Sequence, residues 1–166
     1  WEEGVGHDFI SWRERVDPDN IASVLEKNTI TVIDYDDKDY PRLLKEINDP
    51  PAFLFCRGTI SHTDKTIAIV GTRTVSSYGE QCTRTFAHEL ARRGALIVSG
   101  LALGTDSIAH EAAVAEKKPT IAVLGSGVDK ASIYPRANAG LAEKILEHGG
   151  LLISEYPPGF TPTPYS

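Results

Sequence analysis

The stretch "AIVGTRTVSSYG", residues 68–79, decides the fold. A short apolar run, Ile67 to Val70, reaches Gly71, turns, and passes into a helix. Strand, glycine turn and helix in that order open a nucleotide-binding α/β unit. A dinucleotide fingerprint would continue G-x-G-x-x-G with glycines at 73 and 76, but Arg73 and Ser76 stand there. A side chain at 73 obstructs the close backbone approach that a pyrophosphate needs, which argues against NAD-type binding. A planar guanidinium can instead hold phosphate oxygens through two hydrogen bonds. Alternatively the Arg73 side chain folds back onto a helix end or a carboxylate.

Downstream the same rhythm repeats. "TIAIVG" reads as strand, "SSYGEQCTRTFAHELARRG" as helix, "ALIVSG" as strand and "TDSIAHEAAVAEKK" as helix. "TIAVLG" is the next strand, "NAGLAEKILEHGG" the next helix and "LLISEY" the last strand. Gly94, Lys117-Lys118-Pro119 and Gly149-Gly150 supply the helix stops. Apolar runs without alternation predict strands buried on both faces, and their alternation with helices predicts parallel pairing through right-handed crossovers. The predicted fold class is α/β: an extended Rossmann-type open, mainly parallel sheet with helices on both faces.

Upstream lies an appendage. Asp17 and Pro18 fit an N-cap and first-turn pair for a helix through "DNIASVLEKN". "TITVIDY" is a β-branched strand, "YPRLLKEI" a short helix and "AFLFCRG" a further strand. Two units are expected: a partial N-terminal helical segment over residues 1–28 and a Rossmann-like domain over 29–166. The sequence lacks Met throughout, and it starts at "WEEGVGHDFI" and stops on "EYPPGFTPTPYS". It therefore reads as a piece of a longer product, truncated at the C-terminus.

The net charge of −6, from 17 basic and 23 acidic residues, argues against a non-specific duplex-DNA coat protein. It leaves room for a local basic pocket, because phosphate binding depends on the field at the site. No apolar run approaches the roughly 20 residues of a membrane span, and no basic n-region or apolar h-region marks a signal peptide. The expected location is the cytoplasm. Cys56 and Cys82 are the two cysteines, which excludes a disulfide framework and zinc spacing and predicts free thiols.

In an open α/β sheet ligands sit beyond the carboxyl ends of the strands. The first post-strand loop offers Gly71, Thr72, Arg73 and Ser76. The second, "SGLALGTD", offers Ser99, Gly100 and Gly104. The third, "GSGVDKASIYPRAN", offers Gly125, Gly127, Tyr134, Arg136 and Asn138. All three supply backbone N–H groups near helix starts, which favour an anion. Arg136 reads equally as a solvated surface arginine, and Tyr134 either stacks a base or packs beside Pro135. Asp106 reads as a helix-start carboxylate suited to the helix dipole, and His110 as a packed or partly exposed histidine.

Other chemistries find no support. "HEAAV" at 110–114 lacks the second His of a zincin. No G-x-S-x-G elbow and no G-x-x-x-x-G-K-[ST] loop is present. No nucleophile, metal site or paired-carboxylate arrangement stands out, and no cofactor is expected.

The runs "YPRLLKEINDPPAFLFCRG", "IAIVGTRTVSSYG", "IVSGLALGTDSIAH", "TIAVLGSGVDKASIYPRAN" and "LLISEYPPG" together resemble the DNA-processing protein A family (DprA, also called Smf). The resemblance runs in order from about Asp34 to Gly159, roughly three quarters of the chain. It implies a protein that binds and protects single-stranded DNA and helps load RecA recombinase in natural transformation, with no turnover. It also implies that Arg73, Arg136 and the Ser99–Gly104 loop line one pocket for DNA phosphates, and it admits a homodimer. The family continues after "EYPPG" into a further basic segment that this chain does not contain. The alternative is an enzyme on a similar core, a nucleoside-monophosphate hydrolase, whose P-G-G-x-G-T-x-x-E segment is missing here.

Overall fold

The structure is a computed structural model that describes residues 17–61, 63 and 65–162. The first part of the predicted 1–28 segment lies outside the described residues. Helix α1 spans Pro18–Lys27, and the Asp17 carboxylate caps it by accepting the N–H groups of Asp19 and Asn20. Strand β1 (Ile30–Asp34), a 3-10 turn (Arg42–Glu46) and β2 (Phe53–Gly58) follow. The regular unit is β3 (Thr66–Ala68), α2 (Ser77–Arg92), β4 (Leu96–Ser99), α3 (Thr105–Ala115), β5 (Thr120–Leu124), α4 (Ala139–Glu147) and β6 (Leu151–Ser154). A second 3-10 turn, Arg136–Asn138, precedes α4. The left-handed residues that end the helices, Gly94, Lys117 and Gly149, fall on the predicted stops.

The six strands form one mixed sheet in the order β1-β2-β6-β5-β4-β3. β3 to β6 pair in parallel, and β2 joins β6 antiparallel with β1 outside it. From β3 to β6 the chain steps always in the same direction, so crossovers of one hand lay α2, α3 and α4 on one face. Ala87 and Ala91 of α2 meet Ala109, Ala112 and Ala113 of α3 over Ile97, and Ala142 and Ile145 of α4 cover Ala122 and Leu152. Small residues at that seam let the helices approach closely. The fully buried Ile97 and Leu152 each contribute about 1.5–3 kcal/mol by leaving water.

The helical cover expected on both faces is unequal. Over β1, β2 and β6 the opposite face packs Ile33, Leu54, Cys56, Leu151 and Ile153 against Tyr40 and Leu44 of the 3-10 segment. Among the described residues that face is open beside β3 and over the end of β5: Val70, just beyond β3, is 72% exposed and Val123 is 50% exposed, while Ile121 still packs on the covered part. An apolar run therefore means burial on both faces for β6, but not for β3, because strand sequence does not report what lies above it. Burial raises the Cys56 thiol to about 12, which makes it an inert packing group.

Candidate nucleic-acid interface

The carboxyl ends of β3, β4 and β5 bring three loops to one edge, and each is built differently. In the first, Ser76 caps α2 by accepting the Gly79 N–H at 3.1 Å. The Thr72 hydroxyl accepts the Thr74 N–H and donates to the Thr74 carbonyl, which tightens the turn. Arg73 therefore stands at the corner of a stiffened turn ahead of a helix N-terminus. It is exposed, and it makes no hydrogen bond or ion pair among the described residues. Gly71 is required by packing: a Cβ there would lie 2.6 Å from the Thr105 hydroxyl.

The second loop is closed on itself. Gly104 has φ +83°, and a Cβ on it would fall on the Thr72 carbonyl oxygen and within 2.7 Å of the Arg73 carbonyl oxygen. Thr105 donates both its N–H, at 3.2 Å, and its hydroxyl, at 3.3 Å, to that same Thr72 carbonyl. These contacts join the first two loops. Ser99 is buried and donates to the Ile69 carbonyl at 2.6 Å. Gly100 and Ala102 donate their N–H groups to Asp106 Oδ2 at 3.1 and 3.4 Å. Asn138 Nδ2 donates to the Leu101 and Ala102 carbonyls at 2.8 and 3.2 Å, joining the third loop to the second.

In the third loop Gly127 donates to the Phe160 carbonyl, and the Gly159 N–H reaches Asp129 Oδ1 at 2.8 Å and the Ser132 hydroxyl at 3.1 Å. Asp129 and Ser132 thus pin the "EYPPGF" segment to the edge. Arg136 is exposed, and its Nη1 donates to the Lys130 and Ala131 carbonyls at 3.1 and 3.2 Å. Tyr134, whose bond to Pro135 is cis, is 51% exposed. A Cβ on the exposed Gly125 would meet open space.

The twelve predicted residues thus divide into two groups. Gly71, Thr72, Arg73, Ser76, Gly125, Tyr134 and Arg136 face solvent on the edge. Ser99, Gly100, Gly104, Gly127 and Asn138 hold the loops together from within. Asp106, Asp129 and Ser132 do the pinning, and sequence reasoning did not assign them that work. Their only signal was a short acceptor placed a few residues after a glycine-bearing turn.

His110, one turn below Asp106 on α3, is fully buried, and its Nδ1 lies 2.8 Å from the Thr120 hydroxyl. That hydroxyl donates to the Ile97 carbonyl, so it accepts from Nδ1–H, and Nε2 has no hydrogen-bond partner among the described residues. Burial lowers the imidazole to about 4, against the opposing pull of Asp106.

The edge presents Gly71, Thr72, Arg73, Ser76, Gly125, Tyr134 and Arg136 to solvent. Two grooves of about 480 and 470 Å³ lie elsewhere than the Arg73 turn, one between α3 and α4 that reaches Ala137 and Asn138 of the Arg136 turn, and one beside the bidentate Arg57–Glu143 pair.

Residues 31–166 match the family described as DNA recombination-mediator protein A. The chain belongs to that family. It is 40% identical over 144 residues to the DNA processing protein DprA of Bacillus subtilis, covering 86% of this chain and 48% of that protein. It is 38% identical over 169 residues to protein Smf of Synechocystis, covering 96% of this chain and 42% of that protein. Among solved structures, it resembles DprA from Streptococcus pneumoniae with a TM-score of 0.75 at 33% identity, over 95% of this chain and 54% of the other. It resembles DNA processing protein A from Helicobacter pylori, which binds single-stranded DNA, with a TM-score of 0.65 at 35% identity, over 82% and 60% of the two chains. The chain spans somewhat less than half the length of these sequence relatives.

Proposed function

We propose that this chain is the Rossmann-like, strand-binding part of a DNA-processing protein, and that it holds successive phosphates of single-stranded DNA along its carboxyl edge. The observation that carries this reading is Arg73: an exposed guanidinium with no partner among the described residues, on a stiffened turn beside a helix N-terminus. Arg136 adds a second cation, and Thr72, Ser76, Gly125 and the half-exposed Tyr134 complete the surface. Exposed cations and a half-exposed aromatic on one edge suit a strand, whose phosphates and bases meet them in turn. With it we propose binding without turnover, action in the cytoplasm, help in loading RecA recombinase during transformation and room for a homodimer, readings that the family resemblance supports.

The test is fluorescence anisotropy of a labelled oligothymidine at low and moderate salt, with Arg73→Ala alongside. Affinity is expected to fall with salt, with a slope reporting about one to three phosphates, and to drop in the variant. Salt-independent binding, or a variant that binds like the parent, overturns the reading.

A further inference from the structure

The loop after β4 holds an anion already. It leaves a parallel strand, carries glycines at 100 and 104, and leads into the N-terminus of α3. In a nucleotide-binding fold such a loop turns its N–H groups toward a phosphate. Here the Gly100 and Ala102 N–H groups both turn inward, onto Asp106 Oδ2. The carboxylate comes from the second residue of the helix, and Asp106 is only 7% exposed. It fits so closely that a Cβ on Gly100 would lie 2.8 Å from Oδ2. The loop is also fixed from its other side. Leu101 adopts φ 57°, a conformation costly for a leucine, because its side chain is fully buried in the core and its carbonyl accepts from Asn138.

We propose that Asp106 is a specificity-determining residue: its carboxylate is a built-in anion that occupies the amide nest after β4, so free phosphate and the pyrophosphate of a nucleotide are rejected there. Phosphates of a strand are then received only at the arginine-bearing loops on either side. An incoming phosphate at the nest would meet a buried negative charge in place of two donors. A nucleotide would have to displace the side chain that orders the loop, whereas a strand lying across the edge leaves it in place. The consequence for strand selectivity rests on the reading given above. The occupancy of the nest does not.

The experiment uses the whole chain and two variants, with inorganic phosphate replacing chloride at constant ionic strength. Thermal melting and the backbone amide resonances of Gly100 and Ala102 are the readouts. In the parent, phosphate leaves those two amides unmoved. Asp106→Ala, which opens the nest and leaves two part-buried N–H groups without their acceptor, melts roughly 5–10 °C lower. Phosphate then restores part of that loss saturably, beyond any shift in the parent, and moves both amides. If Asp106→Ala fails to fold, Asp106→Ser leaves one short acceptor and enough room, and the same amide shifts are expected. The proposal is overturned if phosphate moves Gly100 and Ala102 in the parent. It is equally overturned if neither variant gains anything from phosphate that the parent does not. A separate titration with oligothymidine reports on strand binding: if the resonances of the Arg73 turn stay still there, the functional reading fails whatever phosphate does at the nest.

Discussion

The turn after β3 and the loop after β4 are near neighbours in sequence pattern and opposites in structure. Each follows a parallel strand, each contains glycine, and each leads into a helix. In the first, the backbone is tied locally by Thr72 and Ser76, and the arginine points free. In the second, the donors go to Asp106 and the carbonyls to Asn138, so the loop faces the interior of its own protein. Glycine between strand and helix therefore does not by itself mark a ligand cradle. What distinguishes the two is whether a short side-chain acceptor or donor is placed to satisfy the backbone.

The largest effect is expected where the two loops touch. Gly104→Ala puts a Cβ onto the Thr72 carbonyl oxygen and demands φ +83° of an alanine. We expect a loss of about 3–5 kcal/mol and a melting point lower by roughly 10 °C. Gly125→Ala, where a Cβ meets nothing within 4 Å, should stay within about 0.5 kcal/mol of the parent. Calorimetry of the pair decides it: similar losses would mean that the close approach of the first two loops is not what needs Gly104.

Next in size is an acid sensitivity seated beneath the second loop. Burial holds His110 neutral, at about 4 in the folded chain against the ordinary 6.5. The unfolded chain therefore takes up a proton first as pH falls. This contribution to stability is complete above about pH 6.5 and is lost progressively toward pH 4. The loss amounts to roughly 2 kcal/mol at pH 5. Urea unfolding at pH 7.5 and pH 5 should show that drop, and His110→Gln should flatten it. An unchanged pH dependence in the variant would place the acid sensitivity elsewhere.

Much of this was legible in the residues. The strand–turn–helix rhythm from Thr66 to Ser154 located the elements, because β-branched runs and glycines at helix ends act locally. The edge that carries Arg73 and Arg136 was legible too, since parallel pairing puts post-strand loops together. The direction in which a loop's N–H groups point was not. Gly100 and Ala102 could face a ligand or a neighbour, and only the folded position of Asp106 settles it. The open face over Val70 and Val123 was equally hidden, because it depends on every crossover stepping the same way. Burial of His110 follows from the close packing of α2 and α3, a tertiary fact.

The two arginines give the finest contrast. Arg73 has all its donors available, so Arg73→Ala should weaken oligothymidine binding by about 2 kcal/mol, close to thirtyfold, with little change in melting. Arg136 already donates Nη1 to two carbonyls of its own loop. Part of its hydrogen-bonding capacity serves the Lys130–Ala131 turn, and in the proposed binding mode only the remaining donors are left for a strand phosphate. Arg136→Ala should therefore cost about 1 kcal/mol in binding and loosen the loop. Arg136→Lys should restore the charge, and with it the salt dependence, but not the two-carbonyl clamp that a guanidinium makes. Anisotropy at two salt concentrations separates these roles. If Arg136→Lys recovers the full affinity, only the charge matters at this position. If it recovers the slope but not the affinity, the clamp sets the geometry in which the phosphate is received.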